Sequence, residues 1–405
     1  MNETRDDERT SGRHAGVVFD GERLTLARRL RGLRKNQLAQ AVGTTPATIG
    51  QYEAGVRRPS GLSLSRLAFA LGVPVDFFRA GRGPVPPDAA HFRSLRSTTQ
   101  VERDQALAYG RIAADLVAVL AGVVEFPPAA LPEHPVSPDE IAGPGPVAAA
   151  REARAAMLGA DARGPVPHVV RLLERHGVVV LVMPPSSERV DAFGIGAHPH
   201  PMVLFNPAKG DYWRNRFDAA HELGHLVMHA DAEPGSKIVE DQAHRFAAEF
   251  LLPEADVADV LPAVPDWDRL AELKAEWGVS MAALLYRART LRIMPEQTYR
   301  EAMATMSRQG WRRAEPSPAT ITAPASRAAS LTAPTAASPA TTAGAGSNAA
   351  PAAGAGAARS TSTAAAIGAG AAIGTGAAPG ADAGSVGRRL ERPTLLTRAI
   401  ELAAR

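Results

Sequence analysis

The chain has 405 residues, 45% of them hydrophobic and 21% charged, with 45 Lys and Arg against 42 Asp and Glu. This length is enough for two or three domains. There is no cysteine, which excludes disulfide scaffolds, Cys-ligated zinc fingers, iron–sulfur clusters and cysteine nucleophiles. A metal site would therefore have to use His and carboxylates. The net charge of +3 is too small to indicate a partner.

No segment of the sequence is typical of a membrane or export signal. Residues 1–19 are charged and lack an apolar core of signal-peptide length, and no run of about 18 strongly apolar residues follows. We therefore expect residues 1–19 to be disordered and the protein to be cytoplasmic, without a membrane partner.

Positive charge is concentrated near the amino terminus. Residues 20–84 contain eleven Lys and Arg but only four acidic residues, a net charge of +7. A basic segment of this size favours a polyanionic partner.

The same segment has the pattern of a helix-turn-helix. Arg23–Leu30 predicts a basic helix and Lys35–Val42 a second, shorter one; Gly43 permits a tight turn, and Thr45 can cap a third helix. In such a motif the exposed start of the third helix enters the DNA major groove. The outward-facing residues there are Thr45, Pro46, Ala47, Thr48 and Gln51.

The elements QLA, VGTT, IxQxExG, RRPS and LAFALGV lie between Leu33 and Phe78. This run resembles the five-helix phage-repressor (Cro/C1, XRE-type) DNA-binding domain, which implies double-stranded DNA as a partner. Arg34 departs from the family, because Ser or Thr is the usual cap there. Pro46 and Ala47 have no side-chain donor, so base reading would rely on Gln51, thymine methyl contacts and DNA shape. The resemblance places base-reading positions on Thr45, Pro46, Ala47 and Gln51, and phosphate contacts on Lys35, Thr44, Arg57 and Arg58.

The strongest chemical signal is the HELGH sequence that begins at His221. Residues four apart lie on one helix face, so His221 and His225 can reach one metal ion. Glu222 lies beside them and can move a proton from water to a leaving amine, as in other H-E-x-x-H sites. The motif predicts a metal-dependent hydrolytic site on a helix between about Asp211 and His229.

A hydrolytic zinc site normally needs a third protein ligand. His229 lies about 12 Å along the helix axis from His221, too far to complete a tetrahedral site. A side chain from the next predicted helix, Ile238–Pro253, is a better candidate. That helix is expected to bury an apolar stripe, and its polar face offers Glu240, His244 and Glu249. The stripe consists of Ala243, Phe246, Ala247 and Phe250.

FDAAHELGHLVMH followed by ExxAHRFAAEFLLP resembles the ImmA/IrrE family of zinc metallopeptidases. The resemblance implies that Glu240 is the third ligand, that Zn²⁺ is the cofactor, and that Glu222 is the catalytic residue. It also implies an endopeptidase acting by limited proteolysis of a repressor or of the chain itself. The alternative is a non-proteolytic regulator whose peptidase-like domain senses a ligand or metal. Glu222 discriminates between them, since a metal sensor needs no base there.

Together these patterns predict a mainly α, multidomain protein. The expected partners are DNA, a protein substrate and, in a homodimer, a second copy of the chain. The fold expected after the five-helix unit is an α+β zincin-like domain with a small sheet. The boundaries assigned are 1–19 disordered, 20–80 helix-turn-helix, 81–165 linker with connecting helices, 166–315 peptidase-like domain, 316–387 disordered Ala/Gly/Ser/Thr/Pro-rich tail, and 388–405 short helix.

Overall fold

The computed structural model of the chain is mainly helical, with one small sheet, which confirms the predicted fold class. No helix in its described ranges has the length and apolar content needed to cross a bilayer. Most of the two segments predicted to be disordered lies outside those ranges. The described residues are 18–79, 90–92, 99–184, 192–196, 200–206, 212–229, 236–312, 314–316 and 391–404.

The amino-terminal unit, residues 18–79, contains four α-helices. In place of the fifth helix expected from the resemblance, the structure has a short 3-10 helix, Val75–Phe78. The backbone is extended again at Arg79. Phe19 forms an isolated antiparallel bridge with Arg79, near the two ends of this described range. The helices are α1 Gly21–Leu30, α2 Lys35–Val42, α3 Pro46–Glu53 and α4 Gly61–Leu71.

The helices of the amino-terminal unit share one buried core. Leu38 and Ala39 of α2 are buried against Ile49 and Tyr52 of α3, as the helix-turn-helix prediction requires. Gly21 allows α1 to start against the end of α3, since a Cβ there would overlap the Glu53 carbonyl oxygen. Helix α3 therefore packs directly on α1.

The second unit, residues 99–316, contains the remaining long helices and most of the sheet. Its strands are β2 Val179–Val182, β3 Phe193–Ile195 and β4 Met202–Phe205; β1, Ala90–Phe92, precedes the unit in the chain. Its helices are α5 Gln100–Ala121, α6 Gly145–Leu158, α7 Val169–Arg175, α8 Tyr212–Met228, α9 Lys237–Leu251, α10 Glu254–Val257, α11 Trp267–Trp277, α12 Met281–Thr290 and α13 Glu296–Arg308.

The sheet has four strands in the order β1-β3-β4-β2. Strands β2 and β4 are parallel, whereas β3 is antiparallel to both of its neighbours. One face of the sheet packs on α8 and its neighbours in the main core. The other face, which includes Phe193 and Ile195, packs on α5. The sheet is therefore covered on both sides.

Part of the predicted linker belongs to the core of the second unit. Ala149, Ala150 and Ala153 of α6 are fully buried in the main core. Before α6, the amides of His134 and Val136 donate to carbonyls at the end of α8 and satisfy groups that a helix end leaves open. We therefore propose that the peptidase-like unit begins near residue 99 instead of 166.

The end of the chain also packs on the second unit. The expected carboxy-terminal helix is α14, Leu395–Ala403, whose Ala399 is buried against the sheet face that α5 covers. Glu174 accepts hydrogen bonds from the Thr394 and Leu395 amides at 2.7 and 2.8 Å. Glu391 pairs with Arg216 of α8. These contacts fix α14 beside the sheet.

The two units meet where α1 packs on α5. Arg23 donates to Asp115 at 2.6 Å in a buried ion pair, and Gln105 donates to the Leu30 carbonyl oxygen at 2.9 Å. This contact leaves α3 on the outside of the molecule.

Candidate functional site

Helix α8 carries the two histidines of the HELGH sequence. His221 and His225 lie one turn apart and are 0% and 1% exposed, while Leu223 and Val227 on another face pack into the main core. The apolar side thus fixes the rotation of α8, and the helical repeat stacks the two imidazoles.

Helix α9 supplies the third side chain of the cluster. Its apolar stripe, which includes Ala243, Phe246 and Phe250, is fully buried as predicted. Gly224 of α8 allows α9 to approach closely, since a Cβ there would lie 3.0 Å from the Phe246 ring. This approach brings Glu240, in the first turn of α9, next to the histidines.

The three side chains have the spacing of a tetrahedral metal site. The His221 and His225 Nε2 atoms are 3.1 Å apart, and Glu240 oxygens lie 3.3 Å from the first and 3.7 Å from the second. Zinc ligands about 2.0–2.1 Å from an ion at tetrahedral angles are about 3.3–3.4 Å apart. His, His and carboxylate are also the donors of hydrolytic zinc sites. The donor types and the spacing of these three side chains therefore fit Zn²⁺. They form the one group of possible metal ligands found among the described residues.

Glu222 lies between the cluster and strand β3. Its side chain is only 1% exposed. A Cβ at Gly194 would lie 3.1 Å from its Oε2 atom, closer than most such contacts, so the glycine allows the strand to approach the carboxylate. Glu222 is thus held beside the histidines in a confined position, under the strand that borders the site.

A chain of hydrogen bonds behind the cluster sets the orientation of His225. Gln242 Nε2 donates to the Ser137 and Glu140 carbonyl oxygens at 2.8 and 2.9 Å, so its Oε1 atom is the acceptor for His229 Nε2 at 2.7 Å. A neutral His229 then accepts at Nδ1 from His225 Nδ1, at 3.1 Å. His225 therefore presents the lone pair of Nε2 to the cluster.

Replacing Gln242 by Met should weaken zinc binding about 10- to 100-fold, because this side chain sets the proton positions behind His225. The measurement is a competition titration of the metal-free protein with a chelator. Gln297→Met is the control, since Gln297 is exposed and bonds only Glu301 in the described structure. Unchanged zinc affinity in Gln242→Met, with unaltered melting of the metal-free protein, would contradict the role of Gln242.

The other candidate ligands lie outside the cluster. His229 is buried behind His225, at the position just described. His244 packs its ring edge-on to His221, with 4.9 Å between the ring centroids. Glu249 is 2% exposed and pairs with Arg151 and Arg287. The structure thus brings Glu240, and not Glu249, to the two histidines.

The predicted DNA-contacting residues are all at least partly accessible on the amino-terminal unit. Thr45 caps α3, its hydroxyl accepting from the Thr48 amide at 3.2 Å, and Pro46 follows at the first helical position, as predicted. Lys35 lies 3.3 Å from Glu53 and remains half exposed. Thr44 and Thr48 are partly buried, and the other members are exposed: Lys35, Thr45, Pro46, Ala47, Gln51, Arg57 and Arg58.

Two residues that contribute to the surroundings of the possible ligands, Gln242 and Gly194, were not anticipated from the sequence. Gln242 interrupts the apolar stripe of α9 between Val239 and Phe246. A buried polar residue in such a stripe needs a partner, so this position was a usable signal. Gly194 carries no comparable signal, because its role depends on contact with α8.

Comparison with protein families supports both halves of this description. Residues 24–78 match the helix-turn-helix family model of the XRE type, and residues 173–289 match the Peptidase_M78 model, described as IrrE N-terminal-like domain. The second match covers His221, Glu222, His225 and Glu240. No significant match was found among curated proteins. The chain therefore combines an XRE-type helix-turn-helix domain with a metallopeptidase-type domain.

Proposed function

We propose that this chain, which joins an XRE-type helix-turn-helix domain to an IrrE-like metallopeptidase-type domain, is a cytoplasmic DNA-binding transcriptional regulator with zinc-dependent endopeptidase activity. The protein substrate would be a repressor or the chain itself. The observation that carries the proposal is the spacing of 3.1 to 3.7 Å among the possible ligand atoms of His221, His225 and Glu240, beside the buried carboxylate of Glu222.

Each residue of the site has a separate task. His221, His225 and Glu240 would hold the ion, which when bound supplies a Lewis acid that polarises a carbonyl and lowers the pKa of water. Glu222 accepts the proton of the attacking water at its carboxylate and donates it to the nitrogen of the departing amine. Gly194 and strand β3 confine that carboxylate.

The position of Glu222 favours the enzyme over a domain that only senses metal or a small ligand. Two histidines and one carboxylate are sufficient for metal sensing, and a second carboxylate is not needed. Here a buried carboxylate lies next to the ligands, under a strand that approaches it through a glycine. Burial of a carboxylate carries a desolvation cost, which a role in proton transfer explains.

The DNA-binding half of the proposal rests on exposed residues. Gln51, Arg57 and Arg58 stay exposed in the presence of the second unit, because the contact between units uses α1. Double-stranded DNA is the proposed partner, with sequence read at the start of α3. A second copy of the chain is also proposed, with Leu62 and Phe69, two exposed apolar side chains of α4, as a surface for pairing.

Gln51→Ala and Arg57→Ala should weaken DNA binding in different ways. Loss of the Gln51 amide should relax specificity at one or two base pairs, at a cost of about 1–3 kcal/mol. Loss of Arg57 should weaken binding to all sequences alike. It should also reduce the slope of log affinity against log salt concentration by about one, since one phosphate contact is lost. Fluorescence anisotropy with operator and random duplexes at several salt concentrations separates these effects.

Arg300→Ala is the control for that experiment, since Arg300 is exposed on α13 of the second unit and pairs with Glu296. Its DNA affinity should equal that of the wild type. Wild-type affinity and specificity in both Gln51→Ala and Arg57→Ala would contradict the assigned surface.

The peptidase half is tested by incubating the zinc-loaded protein with purified repressor-type regulators from the same organism, and alone. Mass spectrometry should detect a discrete cut in one regulator or in the chain. Cleavage should stop when a chelator removes the metal and return when zinc is restored. Cleavage that persists in the metal-free protein would contradict the proposal.

A further inference from the structure

Strand β1 occupies the outer edge of the sheet, next to β3. It consists of residues 90–92, which belong to the chain between the amino-terminal unit and α5. Among the described strands, β3 would form the edge of the sheet if β1 were absent. A sheet edge presents unpaired N–H and C=O groups that can pair with another extended chain.

The strand that β1 covers approaches the proposed catalytic carboxylate. Gly194 of β3 is the residue at which a Cβ would lie 3.1 Å from Glu222 Oε2. His91 of β1 is in register with Gly194. Because paired residues of antiparallel strands are about 4.5–5.5 Å apart at Cα, the β1 backbone passes one strand spacing from this point.

The pairing of β1 has the form of a bound peptide. Extended peptides bind proteins by adding a strand to a sheet edge, with main-chain hydrogen bonds that do not depend on sequence. Strand β1 pairs antiparallel with β3 over only three residues: Ala90 with Ile195, His91 with Gly194 and Phe92 with Phe193. So short a strand contributes few hydrogen bonds to the sheet.

We infer that residues 90–92 occupy, in cis, the sheet edge that lies beside Glu222 and so exclude a substrate backbone from it. The inference rests on the proposed function and adds to it a form of regulation, in which a strand of the chain itself blocks the site. A protein substrate must displace β1 before its backbone can lie beside Glu222. A short tether gives the linker strand an effective concentration of about millimolar, so a free peptide competes poorly while β1 is paired.

The test is a binding experiment with the full-length, zinc-loaded protein carrying Glu222→Gln, so that bound peptide is not hydrolysed. The probe is a fluorescein-labelled synthetic peptide with the sequence of residues 86–97, followed by fluorescence anisotropy. In the same protein, Ala90→Pro, His91→Pro and Phe92→Pro together remove every N–H that β1 can donate. This triple proline variant should bind the probe at least about tenfold more tightly than its parent.

The matched control places three prolines elsewhere in the same linker: Gly81→Pro, Arg82→Pro and Gly83→Pro. It should bind the probe as weakly as the parent. Equal binding by all three proteins, including no binding up to millimolar probe, would overturn the inference, provided that all three hold zinc.

The outcome is distinguishable from failure of the proposed function, because probe binding requires no catalysis. A gain of binding in the triple proline variant, in a protein that never cleaves any substrate, would support the edge assignment and contradict the peptidase. Cleavage by the wild type, with no gain of probe binding in the variant, would contradict the edge assignment alone.

Discussion

Glu222→Gln is expected to retain one zinc ion per chain and to lose proteolytic activity by about 10²- to 10⁴-fold. The amide has nearly the size of the carboxylate but cannot accept the proton of the attacking water at neutral pH. Glu222 is not among the three residues whose ligand atoms cluster, so metal binding should be unaffected. The measurements are zinc analysis of the purified variant and the rate of substrate cleavage.

Glu254→Gln is a suitable control for that substitution, because Glu254 is exposed and pairs with Arg151. It should cleave at the wild-type rate. If Glu222→Gln cleaved as fast as the wild type, the assignment of Glu222 as the proton carrier would be wrong. If Glu222→Gln lost its zinc, the residue would belong to the ligand set.

Removal of any one of the three clustered side chains should empty or greatly weaken the metal site. His221→Ala, His225→Ala and Glu240→Ala each leave two protein ligands, which hold zinc poorly against water. Zinc content should therefore fall from about one ion per chain to a small fraction after dialysis. Inductively coupled plasma mass spectrometry of the dialysed variants measures this directly.

Glu249→Ala is the contrasting variant. Its carboxylate pairs with Arg151 and Arg287 and is absent from the cluster, so the variant should keep zinc. It should also melt at a lower temperature, because the buried Arg287 loses its partner, a change that can cost about 3–5 kcal/mol. Zinc retained by Glu240→Ala but lost by Glu249→Ala would overturn the choice of the third side chain.

Features that depend on residues close in sequence could be predicted in detail. The four-residue spacing of His221 and His225 places them on one helix face, and Thr45 and Pro46 mark the start of α3, as the structure shows. The apolar stripe of α9 was also predicted correctly. In these cases the helical repeat or a local cap determines the outcome.

Features that depend on distant contacts could not be predicted from local patterns. The Pro/Gly-rich segment before α6 was interpreted as a linker, but its carbonyls at Ser137 and Glu140 accept from Gln242. Strand β1 lies in the same predicted linker and is recognisable only through its pairing with β3.

The choice between Glu240 and Glu249 shows where the residue pattern alone was insufficient. Both are carboxylates on one predicted helix, and their spacing from the HELGH sequence does not discriminate between them. Resemblance to the zinc metallopeptidases favoured Glu240, and the approach of α9 to α8 at Gly224 places that side chain at the histidines. Roles of Glu240 and Glu222 in metal binding and catalysis stay predictions until the variants are measured.

The most direct test of the central claim is the mass of the products formed from a protein substrate by the wild-type protein and by Glu222→Gln, both loaded with one zinc ion. A zinc-dependent endopeptidase should convert the substrate into two fragments whose masses sum to that of the substrate plus one water molecule. The Glu222→Gln protein should leave the substrate intact over the same period. The same fragments at the same rate from both proteins, or no fragments from a wild type that holds zinc and binds DNA, would contradict the claim.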